Sequence, residues 1–329
     1  MAAPAGLPAG RAVNPATPFH AIHRWYERTI AWARRRSRRF DHFWRARERY
    51  NEVLGGRLAA AIAYYAFFAA FALALVAYSI LGYALSSNSD LKGSVSDYLT
   101  ANLPWLEVSS IEYPRGRFAV IGFVGLILTG LGWVEGMRSS QRLIWKLDEQ
   151  PGNLVIRRLV DLGMLAGLGI LLAISLWVTS GVRSLLFWFT PEYLTPLMQD
   201  ALNWAGVALG WLVNLLLAAA LLAGVPRLRM PPRRLLPPAL IVATGLTVLA
   251  TIGSFIFTRT KENPAYALAS SFVGLLLFFY LFSQLILFGA ALAATSRYGR
   301  VMDLAAGPPP AAPAPEPAPE PAGGASGEA

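Results

Sequence analysis

Cysteine is absent from this chain of 329 residues, which excludes disulfide bonds and thiolate metal sites. Charged residues make up only 15% of the chain, whereas hydrophobic residues make up 55%. So few charges cannot cover a soluble globule of this length, and so many apolar residues are enough for several membrane spans. The composition therefore predicts an all-α protein that crosses a membrane several times.

Residues that carry chemistry are scarce as well. Histidine occurs three times, as His20, His23 and His42, and neither a carboxylate nor a third imidazole is placed to complete a metal site. The sequence has no GxxxxGK[ST] phosphate loop, no GxSxG nucleophile elbow and no HExxH zinc motif. We therefore expect no catalytic residue, no metal and no cofactor, and hence a protein that is not an enzyme.

Long apolar runs are what the chain does contain. A helix needs about 20 apolar residues to cross the hydrocarbon core of a bilayer. Six runs are candidates: Leu58–Leu85, Phe118–Glu135, Leu159–Ser180, Ala201–Val225, Leu235–Phe257 and Ala265–Ala294. The sequence thus predicts a membrane domain of six transmembrane helices over residues 55–297.

The net charge of +10 comes from an uneven distribution of arginine. Of the 29 Lys and Arg residues, 23 lie in four segments that alternate with the other loops, namely 1–57, 136–158, 226–234 and 295–329. Because cytoplasmic loops are enriched in Lys and Arg, this alternation predicts that the N- and C-termini are both cytoplasmic.

The two flanks differ in composition from the membrane domain. Residues 1–54 form a basic arm, which we expect to be an amphipathic helix on the anionic cytoplasmic leaflet; a topology signal alone is the alternative. No RNA-reading fold accompanies the arm, so no nucleic-acid partner is expected. Residues 298–329 are rich in Pro and Ala and predict a disordered cytoplasmic tail.

Small and polar residues recur at helical spacing within the spans. Such stripes allow helices to pack closely, which is the first interpretation, but they also suit a polar path, since polar groups avoid lipid. The candidate path comprises Tyr64, Tyr65, Glu135, Arg138, Arg142, Asn203, Asn214, Thr247, Thr251, Ser254 and Gln284. Of the two tyrosines, Tyr64 is expected to face a cavity. An alanine stripe behind them is expected to pack on glycines of the second or fourth span; it comprises Ala59, Ala63, Ala66 and Ala70.

Ionisable residues gather where the second and third spans approach the predicted cytoplasm. The segment between these spans, with Asp161, is expected to form an ion-pair cluster. Pairing of Glu135 with Arg138 is the simplest interpretation, and a head-group site is the alternative. In that alternative, Arg57, Arg157 and Arg158 collect an anionic head group together with Arg138 and Arg142.

Three stretches carry a resemblance to a known family: RLAAAIAYYAFFAAFALALVAYSILG, GFVGLILTGLGWVEGMRSSQRLIWKL and NPAYALASSFVGLLLFFYLFSQLILFGAALAAT. Over about residues 50–297 the chain resembles the YihY/BrkB family of bacterial inner-membrane proteins, which implies six helices and cytoplasmic termini. Members were long labelled ribonuclease BN, a label that this sequence does not support. A subgroup is linked to transport of lipid or lipid A precursors. The first helix departs from the family pattern, because AAFALAL stands where a proline often follows the aromatic run.

The sequence therefore favours a multi-pass protein of the bacterial inner membrane, a transporter or flippase-like factor for lipid or another amphiphile. The alternative is a non-enzymatic membrane scaffold of an envelope complex. The expected partners are membrane lipids of the anionic leaflet, with a homo-oligomer or an envelope protein as further possibilities.

Overall fold

The computed structural model of the protein describes residues 18–87, 115–188, 196–260 and 264–306, which are mostly helical. In chain order the helices of these ranges are α1 (Pro18–Arg36), α2 (Arg38–Glu52), α3 (Gly55–Ser87), α4 (Arg115–Ile144), α5 (Leu154–Trp188), α6 (Pro196–Ala219), α7 (Pro232–Thr260) and α8 (Pro264–Ala294). A π-helical turn, Ala220–Gly224, continues α6. Two short antiparallel strands, β1 (Leu228–Arg229) and β2 (Met302–Asp303), pair with Leu228 opposite Asp303.

Five stretches in the described residues are long and apolar enough to cross a membrane: Gly55–Val76, Val120–Ile144, Trp204–Gly224, Pro232–Gly253 and Phe272–Ala294. They correspond to five of the six runs that the sequence predicts. The remaining run, Leu159–Ser180, lies inside α5. The side chains of α5 are described only over residues 154–171. That part contains Arg157, Arg158 and Asp161 and is therefore too polar for a candidate membrane span.

Helix α3 lies at the centre of the packing, between α4 and α8. The glycines of α4 allow the two helices to approach closely: a Cβ added to Gly122 would lie 2.9 Å from the Cβ of Leu75 and 3.1 Å from the backbone nitrogen of Val76. A Cβ on Gly132 would likewise meet the ring of Tyr65 at 2.8 Å. The predicted packing of a glycine stripe of the second span against the first span is therefore confirmed.

The surface of α3 that meets these glycines differs from the predicted one. Ala59, Ala63 and Ala66 are buried, but the α4 glycines contact a neighbouring face, which includes Tyr65 and Ala72. Successive residues of a helix are rotated by about 100°, so a contact face displaced by one position lies on a different side. The alanine stripe was therefore the wrong partner for the glycines.

Helix α8 packs on α7, α7 packs on α6, and α5 packs on both α4 and α6. Successive helices of the membrane domain are thus neighbours in space. In addition, the first and last of them, α3 and α8, pack on each other. This arrangement brings α4, α5 and the segment after α6 together, and they form the first candidate site.

The basic arm forms two helices instead of one. Ser37 separates them, and its Oγ accepts a hydrogen bond from the backbone N–H of Phe40 at 3.3 Å, which caps α2. The rings of Phe43 and Tyr50 on α2 lie edge-on to Phe288 of α8, with centroids 5.1 and 6.1 Å apart. The second half of the arm is therefore docked on the membrane domain through ring contacts with α8.

Polar contacts hold the same helix in place. Arg49 of α2 donates hydrogen bonds to the carbonyls of Leu143 and Ile144 at the end of α4, at 2.9 and 2.7 Å. The Nε2 of His42 lies 2.9 Å from the carbonyl oxygen of Leu292 on α8. Helix α2 thereby makes polar contacts with carbonyls at the ends of α4 and α8, where the regular N–H partners of a helix run out.

The first part of the predicted tail is also ordered. Strand β2 pairs with β1, and the backbone N–H of Leu304 donates to the carbonyl of Arg227 at 3.0 Å. The predicted disorder therefore does not extend to residues 301–306, because they add a strand to the segment after α6. The remainder of the tail lies outside the described residues.

Candidate functional site

A buried ion pair lies where α4, α5 and the segment before β1 meet. Nη2 of Arg138 on α4 is 2.9 Å from Oδ2 of Asp161 on α5, and both side chains are 0% exposed. Nη2 of Arg227 donates to the other carboxylate oxygen of Asp161 at 3.3 Å. Asp161 is thus held between two guanidinium groups, one at each oxygen.

A third arginine completes this group. Arg157 is buried one helical turn before Asp161, its Nη1 donates to the carbonyl of Gln150 at 3.2 Å, and its own carbonyl accepts from Arg227 at 3.4 Å. Arg138 is repelled by both Arg157 and Arg227. We call Arg138, Arg157, Arg227 and Asp161 the arginine cluster; it combines three positive charges with one negative charge.

The arginine cluster retains unused hydrogen-bond donors. Nε and Nη1 of Arg138, Nε of Arg157 and Nε of Arg227 are buried without a hydrogen-bond partner among the described residues. A buried donor that lacks a partner costs about 1–3 kcal/mol, and more when it is charged. The cluster thus has a surplus of positive charge together with free N–H groups.

Another buried arginine nearby, Arg142, has its hydrogen-bond donors taken up by the protein itself. Nη1 and Nη2 of Arg142 donate to the two carboxylate oxygens of Asp303 in β2, at 2.9 and 2.7 Å. Its remaining donors bond to the carbonyls of Asp148 and Pro226. This bidentate contact with Arg142 holds the pKa of Asp303 below its ordinary value. Arg142 therefore fastens the start of the tail to the end of α4.

Glu135 pairs with a different arginine from the one expected. Its Oε2 lies 2.7 Å from Nη1 of Arg158 on α5, and the two side chains are 26% and 42% exposed. Pairing of Glu135 with Arg138 is wrong, because Arg138 is turned toward Asp161. The predicted ion-pair cluster between the second and third spans does exist, but its pairs join α4 to α5 and not residues of one helix.

The other head-group candidate, Arg57, lies in the first turn of α3, where it is exposed. Among the described residues, no group of three His, Asp or Glu side chains is placed to hold a metal ion.

A line of polar contacts connects α6 and α7. Nδ2 of Asn214 donates to Oγ1 of Thr247 at 3.1 Å, and Nε1 of Trp211 donates to Oγ1 of Thr244 at 3.3 Å. Oγ1 of Thr251 donates to the carbonyl of Thr247 at 2.9 Å. We call these five residues the polar seam. Thr244 and Thr251 are exposed on the surface of the bundle, although both lie inside a candidate membrane span.

The remaining predicted path residues lie elsewhere. Tyr64 is exposed on α3 beside Phe68, with ring centroids 4.8 Å apart, and Tyr65 rests on Gly132. Gln284 is half-buried on α8. The side chains of Asn203 and Ser254 lie outside the described residues. The structure thus divides the predicted path among the polar seam, the arginine cluster and the surfaces of α3 and α8.

Three members of these sites, Thr244, Trp211 and Arg227, were absent from the predicted site residues. Thr244 lies one turn before Thr247, at the spacing of the other threonines of α7. Trp211 lies one turn before Asn214, so its spacing of three residues could have revealed it. Arg227 follows Pro226 in a segment that sequence patterns assign only to a loop, and no local signal indicates its bond to Asp161.

Comparison with known proteins identifies a family and relatives that share most of the chain. The family described as virulence factor BrkB matches residues 46–314. The chain is 27% identical over 277 residues to the inner membrane protein YhjD of Escherichia coli (strain K12), which covers 78% of this chain and 81% of that protein. It is 28% identical over 277 residues to an uncharacterized protein of Dickeya dadantii (strain 3937), with coverage of 78% and 83%. No solved structure matches the chain.

Proposed function

The chain belongs to the BrkB family and is a multi-pass protein of the bacterial inner membrane, and we propose that it is a transporter or flippase-like factor for a lipid or another amphiphile. The observation that carries this proposal is the polar seam. Hydroxyl groups exposed on a helix surface at membrane depth are unfavourable in hydrocarbon, and intramembrane polar residues commonly mark a substrate pathway.

In this proposal α5 also crosses the membrane, which brings the number of crossing helices to six, and both termini lie in the cytoplasm. Support comes from the ends of the helices. Three contacts bring the four arginine-rich segments to one end of the bundle: Arg142 with Asp303, Arg227 with Asp161, and Arg49 with Ile144. By the positive-inside rule, this end is the one expected to face the cytoplasm.

The proposed mechanism uses the two kinds of surface along α7. A polar head group moves past Thr244 and Thr251 and exchanges hydrogen bonds with their hydroxyls, so it is never left without a partner in hydrocarbon. The acyl chains stay in the bilayer against Val248 and Ile252, which are exposed beside the threonines. At the cytoplasmic end the arginine cluster supplies positive charge for an anionic head group.

The direct test is lipid movement in liposomes that contain the purified protein. A fluorescent lipid in the inner leaflet becomes accessible to a membrane-impermeant quencher only after it crosses. We expect the protein to accelerate this loss of fluorescence, and we expect the double substitution Thr244→Val and Thr251→Val to slow it several-fold, since valine removes the hydroxyls with little change in volume.

Thr129 on α4 provides a matched control. Its hydroxyl donates to a carbonyl of its own helix, that of Gly125, at 2.7 Å, as Thr251 does, but it lies outside the polar seam. Thr129→Val should therefore leave the rate unchanged. Absence of acceleration for zwitterionic and anionic lipids alike would refute transport, and equal rates for the wild type and the double variant would exclude the seam as the path.

The scaffold alternative has one observation in its favour. Trp25 and Trp32 on α1 are 68% and 63% exposed, which suits contact with an envelope protein, a second copy of the chain or the membrane interface. Deletion of residues 1–36 removes α1 and keeps the Ser37 cap of α2. Loss of a co-purifying partner in this deletion, together with no lipid movement by the full chain, would favour the scaffold.

A further inference from the structure

We propose that the arginine cluster is a binding site for a phosphate-type dianion, supplied either by a lipid head group or by free phosphate. The first reason is charge. Arg138 and Arg227 pair with the carboxylate of Asp161, and Arg157 adds a third positive charge one turn before it, so the cluster carries a net charge of +2 among side chains that are almost fully buried. A buried surplus of this size is strongly unfavourable until an anion compensates it.

The second reason is the set of unused donors. Arg138 keeps two N–H-bearing nitrogens without a partner, and Arg157 and Arg227 keep one each. All three arginines belong to one connected group, since Arg227 contacts both Asp161 and the backbone of Arg157. A phosphate group has several acceptor oxygens, and guanidinium groups bind it with charge-assisted hydrogen bonds.

Arg142 shows that a purely structural arginine in this protein is built differently. It is just as buried, but its donors are paired with the carboxylate of Asp303 and with backbone carbonyls. If Arg138, Arg157 and Arg227 only stabilised the fold, each would be expected to have about as many acceptors as Arg142. Instead, Asp161 is shared by two arginines and four donor atoms stay free.

The charge also selects the class of ligand. A phosphate monoester carries about 1.5 to 2 negative charges at neutral pH, and inorganic phosphate is present there partly as the dianion, so either can bring two charges to the cluster. A carboxylate or phosphodiester would compensate only half of the surplus. Arg227 is the member nearest to solvent, with a side chain that is 14% exposed. The ligand therefore reaches the cluster past Arg227, on the side where β1 and β2 pair.

This inference rests on the proposed function in that it names the head-group chemistry of the same cytoplasmic site. Binding and transport are nevertheless separate measurements. Stabilisation by phosphate without lipid movement would support the anion site and refute transport. Lipid movement without stabilisation by any phosphate would support transport and refute the anion site.

The experiment measures thermal unfolding of the full chain in nanodiscs of phosphatidylcholine. Inorganic phosphate is added to one sample, a second sample contains phosphatidic acid in the disc, and sodium chloride at equal ionic strength is the reference. We expect phosphate to raise the unfolding temperature in a saturable way. A response to phosphatidic acid alone would identify a lipid as the source, and a response to inorganic phosphate alone would identify a free anion.

Arg157 is the residue to change, because it has no bond to Asp161 and its removal leaves both ion pairs of that carboxylate in place. Arg157→Gln should weaken phosphate binding at least tenfold, and Arg157→Lys should restore part of it by returning the charge without the planar fork. Arg158→Gln is the matched control: it removes the same charge from the next position, where the side chain is exposed and paired with Glu135.

The outcomes are decisive in both directions. Phosphate binding that survives in Arg158→Gln and is lost in Arg157→Gln supports the site. Equal binding by both variants, or no saturable stabilisation of the wild type by either phosphate source, would overturn it. If Arg157→Gln does not fold, Arg157→Lys and the comparison of phosphate with sodium chloride on the wild type decide the question.

Discussion

Replacement of Asp161 by asparagine removes the only carboxylate of the arginine cluster and leaves three guanidinium groups without a counter-charge. Removing one partner of a buried ion pair typically costs about 3–5 kcal/mol, because the charge left behind stays desolvated. Asp161 and Arg138 are both 0% exposed, so Asp161→Asn should fall within this range. The amide still accepts a hydrogen bond, but it carries no charge to balance Arg138 or Arg227.

The structure offers a matched control on the same two helices. Glu135 and Arg158 also join α4 to α5, and their N–O distance of 2.7 Å is close to the 2.9 Å of the buried pair. Both side chains of this pair are partly exposed, however, and exposed pairs contribute about 0–1 kcal/mol. Glu135→Gln should therefore cost at least about 2 kcal/mol less than Asp161→Asn.

The assay is equilibrium unfolding of the purified variants in mixed micelles, followed by the helical circular dichroism signal. A third sample carries Arg138→Met together with Asp161→Leu, which removes both charges and fills the volume; it should recover part of the lost stability. The reasoning is refuted if Asp161→Asn and Glu135→Gln destabilise the protein equally, because burial would then have no bearing on the worth of these ion pairs.

Two further predictions concern the tail and the helix contacts. Asp303→Asn should lower stability by about 1.5–3 kcal/mol, since Arg142 loses a charged acceptor. The pKa of Asp303 is held below its ordinary value of 3.8, so the wild type keeps this stabilisation at higher pH and loses it as the pH falls below about 4. Unfolding measured from pH 7 to pH 3 should show this loss of stability in the wild type and not in Asp303→Asn. Parallel curves of stability against pH for the two proteins would contradict the prediction. Gly122→Ala should cost about 1–3 kcal/mol in the same unfolding assay, because the new methyl group meets the backbone of Val76. Gly206→Ala, with open space around its Cβ, should be neutral or slightly stabilising, and equal effects of the two substitutions would contradict close packing of α3 on α4.

The sequence predicts the helices well because hydropathy and length depend on the chain locally. Five of its six apolar runs appear as candidate spans, and the α4 glycines contact α3 as their spacing indicates. The charge pairs could not be predicted with the same success. Asp161 and Arg227 are 66 positions apart, and Arg142 and Asp303 are 161 positions apart, so only the packing of several helices brings them together.

The arm illustrates the same limit. Its arginines and aromatic residues predict an amphipathic helix, and helices are found, but amphipathicity does not say which apolar surface the helix covers. The same spacing of Phe43 and Tyr50 suits contact with a lipid leaflet or with the ring of Phe288. In the structure both rings contact Phe288, and Arg49 of the same helix donates hydrogen bonds to carbonyls at the end of α4.

The bond between Arg142 and Asp303 also has a consequence for the order of events during synthesis. All the membrane helices are made before Asp303, which follows Arg142 by 161 positions. At a synthesis rate of about 5–20 residues per second, Arg142 is without its carboxylate for about 10–30 seconds. The contact that joins the end of α4 to the start of the tail therefore forms last, after all the membrane helices have been synthesised, and a chain that stops short of Asp303 leaves Arg142 without this carboxylate.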